Sequence, residues 1–152
     1  MFGGVYGTVQ ASALLAALQG EGSRYTPAYD ALWVLVTAVT SALAHGYARH
    51  MSTFRPDSTE RRLRRVGHSL IGEWPLVAAS LPTVLLLSIA GLAGWPEPPV
   101  STIGLGINAA LLFGWGMLGA LHMGYRRPVA ILGGAADCAL GLLIAATNAL
   151  IK

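Results

Sequence analysis

A single cysteine, Cys138, lies in an apolar run, so the chain can hold no intrachain disulfide, no CxxC redox pair and no zinc site. Charge is scarce too. Only 11% of the 152 residues are Asp, Glu, Lys or Arg, against about 25% in soluble domains. With 54% hydrophobic residues and a mean hydropathy of +0.57, this excludes an ordinary soluble domain and leaves an integral membrane protein. No basic residue precedes the first apolar run, so that run is expected to be a retained helix rather than a cleaved signal peptide. There is no phosphate-cradling Gly loop and no serine-nucleophile motif, and no span holds a His-x-x-x-His or Glu-x-x-His pair.

What is present is a set of five apolar stretches near the roughly 20 helical residues that cross about 30 Å of hydrocarbon. They run over residues 2–19, 27–48, 66–94, 100–123 and 128–151. The expected fold is an all-α, polytopic helix bundle that fills residues 1–152 as one membrane domain. Eight of the ten Lys and Arg residues fall in two loops: Arg49, Arg55, Arg61, Arg62, Arg64 and Arg65, then Arg126 and Arg127. Only Arg24 and Lys152 lie on the other side. That asymmetry, rather than nucleic-acid binding, accounts for the pI near 9.4. It makes both Arg loops and the N-terminus cytoplasmic, as in a bacterial inner membrane. Ser58 or Thr59 is expected to cap a short helix leading into the third span. Small residues recur every fourth position at Ala38, Ala42 and Gly46 and at Gly106, Ala110 and Gly114, a spacing that lets helices approach closely in lipid.

The informative residues are the acids and imidazoles inside these spans. Glu73 opens the third span beside Pro75, with Pro82 further along, and each proline removes a helical hydrogen bond and favours a bend. An intramembrane acid needs a partner or faces the bundle interior. At about 1.5 Å per residue, His45 lies roughly 5 Å from the cytoplasmic end, Glu73 roughly 10 Å and Asp137 roughly 14 Å, with His122 close to the interface. Four helices thus each supply one proton-active group to the same half of the membrane. Glu73 is the leading proton donor or acceptor, His45 its relay, and Asp137 and His122 complete the catalytic set. Trp74, Tyr47, Trp115 and Phe113 supply aromatic faces for an apolar substrate. His50 and His68 flank the Arg loop and are expected to be solvated. Asp30 reads as a first-turn acid favoured by the helix dipole. No metal and no cofactor is expected.

Two functions fit. An acid among aromatic faces in an apolar cavity suits an enzyme acting through a carbocation on a lipid-soluble, isoprenoid-type substrate, a protonation-initiated terpene cyclase. The alternative is a proton-coupled transporter or oligomeric ion channel. It is suggested by a hydroxyl stripe of Asp30, Thr37, Ser41 and His45 on one span and Ser69, Glu73, Ser80 and Thr83 on the next. The expected partners are membrane lipid and a lipophilic small molecule, with a homo-oligomer open and nucleic acid excluded.

The pair Ala44-His45-Gly46-Tyr47-Ala48 and Glu73-Trp74-Pro75-Leu76, separated by one basic loop, resembles a family of small multi-pass membrane proteins of high-GC bacteria. The likeness runs from the second span to the fifth. Some small bacterial membrane proteins of this size are associated with terpenoid cyclisation, so the resemblance implies that activity and points to His45 and Glu73. Fungal membrane terpene cyclases, which also use acidic residues, have more spans, and no residue roles carry over from them.

Overall fold

The structure, a computed structural model, describes residues 2–18, 26–52 and 59–151. Arg24, Arg55, Ser58 and Lys152 lie outside the described residues. The chain is an all-α bundle of six helices, with no strand among the described residues: α1 (Phe2–Leu18), α2 (Pro27–Ser52), α3 (Thr59–Ile71), α4 (Trp74–Ala93), α5 (Glu97–His122) and α6 (Arg127–Ile151). Among the described residues, four stretches are long and apolar enough to cross a membrane: Pro27–Ser52, Val66–Ala93, Pro99–His122 and Arg127–Ile144. The described part of α1, 17 residues, is about 25 Å long and shorter than these four.

The third expected span departs most from one continuous helix. Helix α3 stops at Ile71, Gly72 and Glu73 form a turn, and α4 starts at Trp74. Pro75 is the cause. It has no N–H to offer the Ile71 carbonyl and its ring would clash there, whereas the first turn of a new helix tolerates it. Gly72 N–H still donates to the His68 carbonyl at 3.0 Å, and Glu73 N–H donates to that of Leu70 at 3.1 Å. Glu73 is therefore not inside a helix but at the N-cap of α4, with its side chain making no cap hydrogen bond. Pro82, by contrast, sits within α4, which continues past it.

Close backbone contacts fix the directions. A Cβ at Gly3 would meet Leu76 and one at Gly7 would meet Ala79, so α1 and α4 run parallel. Gly4 abuts Trp115 while Gly104 abuts Leu15, so α1 and α5 are antiparallel. Gly46 meets Leu70 and Gly91 meets Ala28, so α2 runs against α3 and α4. Gly134 meets Phe113 and Gly141 meets Leu112, so α5 and α6 are antiparallel as well. One end of the bundle thus gathers the start of α1, the end of α2, the α3–α4 break and the α5–α6 turn. Every described Lys or Arg position belongs to this basic end.

Helix α1 is the hub, packing on α2, α4, α5 and α6. Its Thr8, Ala11, Ser12, Leu15 and Ala16 are buried. At the end away from the Arg positions, Ala11 and Leu15 join Ala31, Val34, Leu87, Ala90 and Val100 in the main apolar cluster. Of the two small-residue seams, Ala38, Ala42 and Gly46 of α2 are buried as expected. Gly106 and Gly114 of α5 have open space where a Cβ would be, and Ala110 is exposed. The face α5 buries is instead Val100, Gly104, Asn108 and Leu112. A two-residue offset is about 200° around a helix, so the expected stripe points outward.

Candidate functional site

The groups expected to converge divide between two sides of α1. On the α2–α4 side, Glu73 is only 3% exposed. Arg49, in the last turn of α2, brings a guanidinium nitrogen to 2.8 Å from Glu73 Oε1. The contact is an ion pair by distance rather than a well-directed hydrogen bond. The Arg49 side chain is 56% exposed, so the pair has one foot in the interior and one at the surface. A Cβ on Gly72 would lie 3.8 Å from the same guanidinium, which places Arg49 over the break as well. The carboxylate's charge is thus balanced on the spot, and the pair ties the end of α2 to the α3–α4 joint.

His45 lies one turn before Arg49 on α2. Its half-buried ring meets Tyr6 edge to face, with centroids 4.8 Å apart and planes at 89°. Four residues on, along both helices, Gln10 donates to Ser41 Oγ at 2.6 Å. Ser41 and His45 therefore share the α2 face turned to α1, as the hydroxyl stripe suggested. Tyr47 and Trp74 are both 60% exposed and do not enclose this site. His50 is buried, not solvated, because α2 runs on past Ala48 to Ser52 and His50 extends the buried face of Ala38, Ala42 and Gly46 at the same four-residue spacing. His68 is exposed, as expected.

On the other side of α1, α5 and α6 form an open groove of about 570 Å³. Its wall is largely apolar (Val5, Met123, Val129, Leu132 and Ala136 among others), with Trp115 and one acid, Asp137. The groove runs from Tyr125, at the α5–α6 turn, down to Asp137. Asp137 is ten residues into α6, roughly 15 Å along it. Glycines make room for this carboxylate: a Cβ at Gly116 would lie 2.6 Å from Asp137 Oδ2 and 2.7 Å from the Gly133 carbonyl. The Trp115 ring packs on the Gly4 backbone, and its buried Nε1–H has no hydrogen-bond partner among the described residues. Phe113 is half-buried against Gly134. His122 does not line the groove; it is exposed at the end of α5, its Nδ1 3.0 Å from the Leu118 carbonyl.

A third polar feature joins Thr83, a member of the expected hydroxyl stripe, to Asn108, which the sequence reading missed. Thr83 of α4 donates to Asn108 Oδ1 of α5 at 2.9 Å, with Asn108 0% exposed. Asn108 is the only amide in the middle of α5, and that isolation within an apolar span was the available signal. On α1, Thr8 and Ser12 are buried, each donating to the carbonyl four residues back at 2.8 Å. Among the described residues no three His, Cys, Asp or Glu side chains gather where they could hold a metal ion.

Comparison of the chain with protein-family models, with curated proteins and with solved structures finds no match.

Proposed function

We propose that this chain is a membrane-embedded enzyme acting on a lipid-soluble, isoprenoid-type substrate, with Asp137 as its acid. The observation that carries this is one half-buried carboxyl at the deep end of a largely apolar groove walled by α1, α5 and α6. The volume falls in the range of about 300–1,000 Å³ usual for small-molecule sites. Glu73, already ion-paired to Arg49, serves in this scheme as a positioning residue for the α3–α4 joint. The basic end faces the cytoplasm of a bacterial inner membrane, so the groove opens towards the inner leaflet.

The chemistry is an isomerisation. The Asp137 carboxyl gives its proton to one carbon of a substrate double bond. A second double bond attacks the resulting cation, closing a carbon–carbon bond, and a proton leaves a neighbouring carbon for the Asp137 carboxylate. Atoms and electrons balance without a co-reactant, and Trp115 offers a ring face to the cation. The test uses purified protein in nanodiscs, supplied with acyclic polyprenyl lipids in deuterated water. The expected product is a cyclised isomer carrying one deuterium. Asp137→Asn should lower its formation by about 10²–10⁴-fold, the usual contribution of a general acid.

A transporter remains the second reading because of the Gln10–Ser41 and Thr83–Asn108 pairs inside the bundle. Proton or ion flux in lipid-only liposomes, with no cyclised product from any polyprenyl lipid, would favour it over the enzyme.

A further inference from the structure

The mouth of the groove has a chemistry of its own. Gly124, at φ +81°, ends α5 with a tight turn in which its N–H donates to the Leu121 carbonyl at 3.0 Å and that of Tyr125 to Ala120 at 3.1 Å. An L side chain would strain that backbone. The turn brings Tyr125 into the groove wall, and Arg126 and Arg127 follow directly. Both arginines are exposed, and neither makes an ion pair among the described residues. Asp137 is the single charged residue of the wall. Arg126 and Arg127 therefore follow Tyr125 at the rim of an open, largely apolar groove whose one acid is the half-buried Asp137.

We propose that the occupant is a lipid with a single apolar chain ending in a phosphate-type anion, its headgroup gripped by Arg126 and Arg127 and its chain running down to Asp137. This rests on the groove being a substrate site and names the charged end of that substrate. Arginine matches phosphate oxygens with two parallel N–H donors, and two adjacent guanidinium groups suit a dianion better than a single negative charge. A neutral prenyl alcohol would leave both arginines unused. Inorganic phosphate would leave the apolar wall uncovered.

The test uses the full chain in zwitterionic nanodiscs and three probes: farnesyl monophosphate, farnesol and inorganic phosphate, with binding read by native mass spectrometry and calorimetry. Farnesyl monophosphate should bind at least about 10-fold more tightly than farnesol, with an affinity that falls as salt rises, while inorganic phosphate fails to displace it. The double variant Arg126→Gln/Arg127→Gln should lose that advantage and keep its affinity for farnesol. Arg126→Lys/Arg127→Lys, which preserves the charge but not the paired N–H donors, should keep only part of it, between the native chain and the Gln variant. Should the Gln variant fail to insert, the salt series and the Lys variant decide. Equal affinity for phosphate and alcohol would overturn the headgroup assignment and leave the groove as a lipid site. Binding of neither prenyl probe would overturn both. Displacement of farnesyl monophosphate by phosphatidylglycerol vesicles at equal headgroup concentration would overturn the single-chain occupant.

Discussion

Arg49 and Glu73 show how a residue's partner decides its role. A carboxylate that is almost fully buried carries a large desolvation cost, and losing its cation leaves that cost uncompensated. Arg49→Gln should therefore destabilise the protein more than Glu73→Gln, which removes the buried charge itself. Because Arg49 is half in solvent, the loss expected for Arg49→Gln is about 1–3 kcal/mol rather than the full cost of breaking a buried pair. Thermal unfolding of both variants in mild detergent checks the order. Glu73→Gln should also keep its turnover of polyprenyl lipid, since the proposed proton donor is Asp137; loss of turnover with unchanged unfolding would return Glu73 to the chemistry. Sequence alone singled out Glu73 because an acid beside a proline in an apolar run is conspicuous. What it could not give was the partner, since Arg49 reads as one of several loop arginines until α2 is seen to run past Ala48 and reach the break. His122 illustrates the converse. Its depth was readable from its position near the end of α5, but the direction of its ring was not.

Among the helices, the α5–α6 pair depends on glycine at a few positions and is indifferent to it at others. Gly116→Ala would drive a Cβ to 2.6 Å from Asp137 Oδ2 and 2.9 Å from the Gly134 Cα, so the helices must part or the carboxyl must move. Overpacking of this kind costs about 1–3 kcal/mol, offset by up to about 1 kcal/mol from the better helix propensity of alanine. Gly114→Ala meets nothing within 4 Å and should be neutral or slightly stabilising. Denaturant titration of the pair separates the contact face from the outer face, and equal effects would mean that α5 is rotated from the arrangement described. The rotation was not legible because both stripes obey the same four-residue spacing. Gly106, Ala110 and Gly114 look like a seam, whereas Val100, Gly104, Asn108 and Leu112 mix large, small and polar residues. The α3–α4 break was partly legible: Pro75 signalled a disturbance, and only the turn at Gly72 and Glu73 turned a bend into two helices.

For the molecule as a whole, the arginine asymmetry and the helix directions agree. If the basic end faces the cytoplasm, single cysteines placed at Met123 and at Trp95, both exposed, in a Cys138→Ala background, should react with a membrane-impermeant maleimide from opposite sides. Trp95 should label in intact cells, and Met123 only after the cells are opened. The reverse pattern would invert the proposed orientation and move the groove mouth to the other leaflet. Fold class was readable at this scale because hydropathy and helix length follow from solvation alone. The central place of α1 was not readable, because its short length and its many Gly and Ala residues make it look like the weakest span. That placement bears on how the protein is made. Helix α1 leaves the ribosome before every helix that surrounds it, yet it is short and carries buried hydroxyls that lipid would not welcome. It must wait, loosely held, until α4 and α5 have emerged to enclose it. Chains cut after α3 should consequently be cleared by the cell's proteases, even though two of the five apolar stretches have by then been synthesised in full.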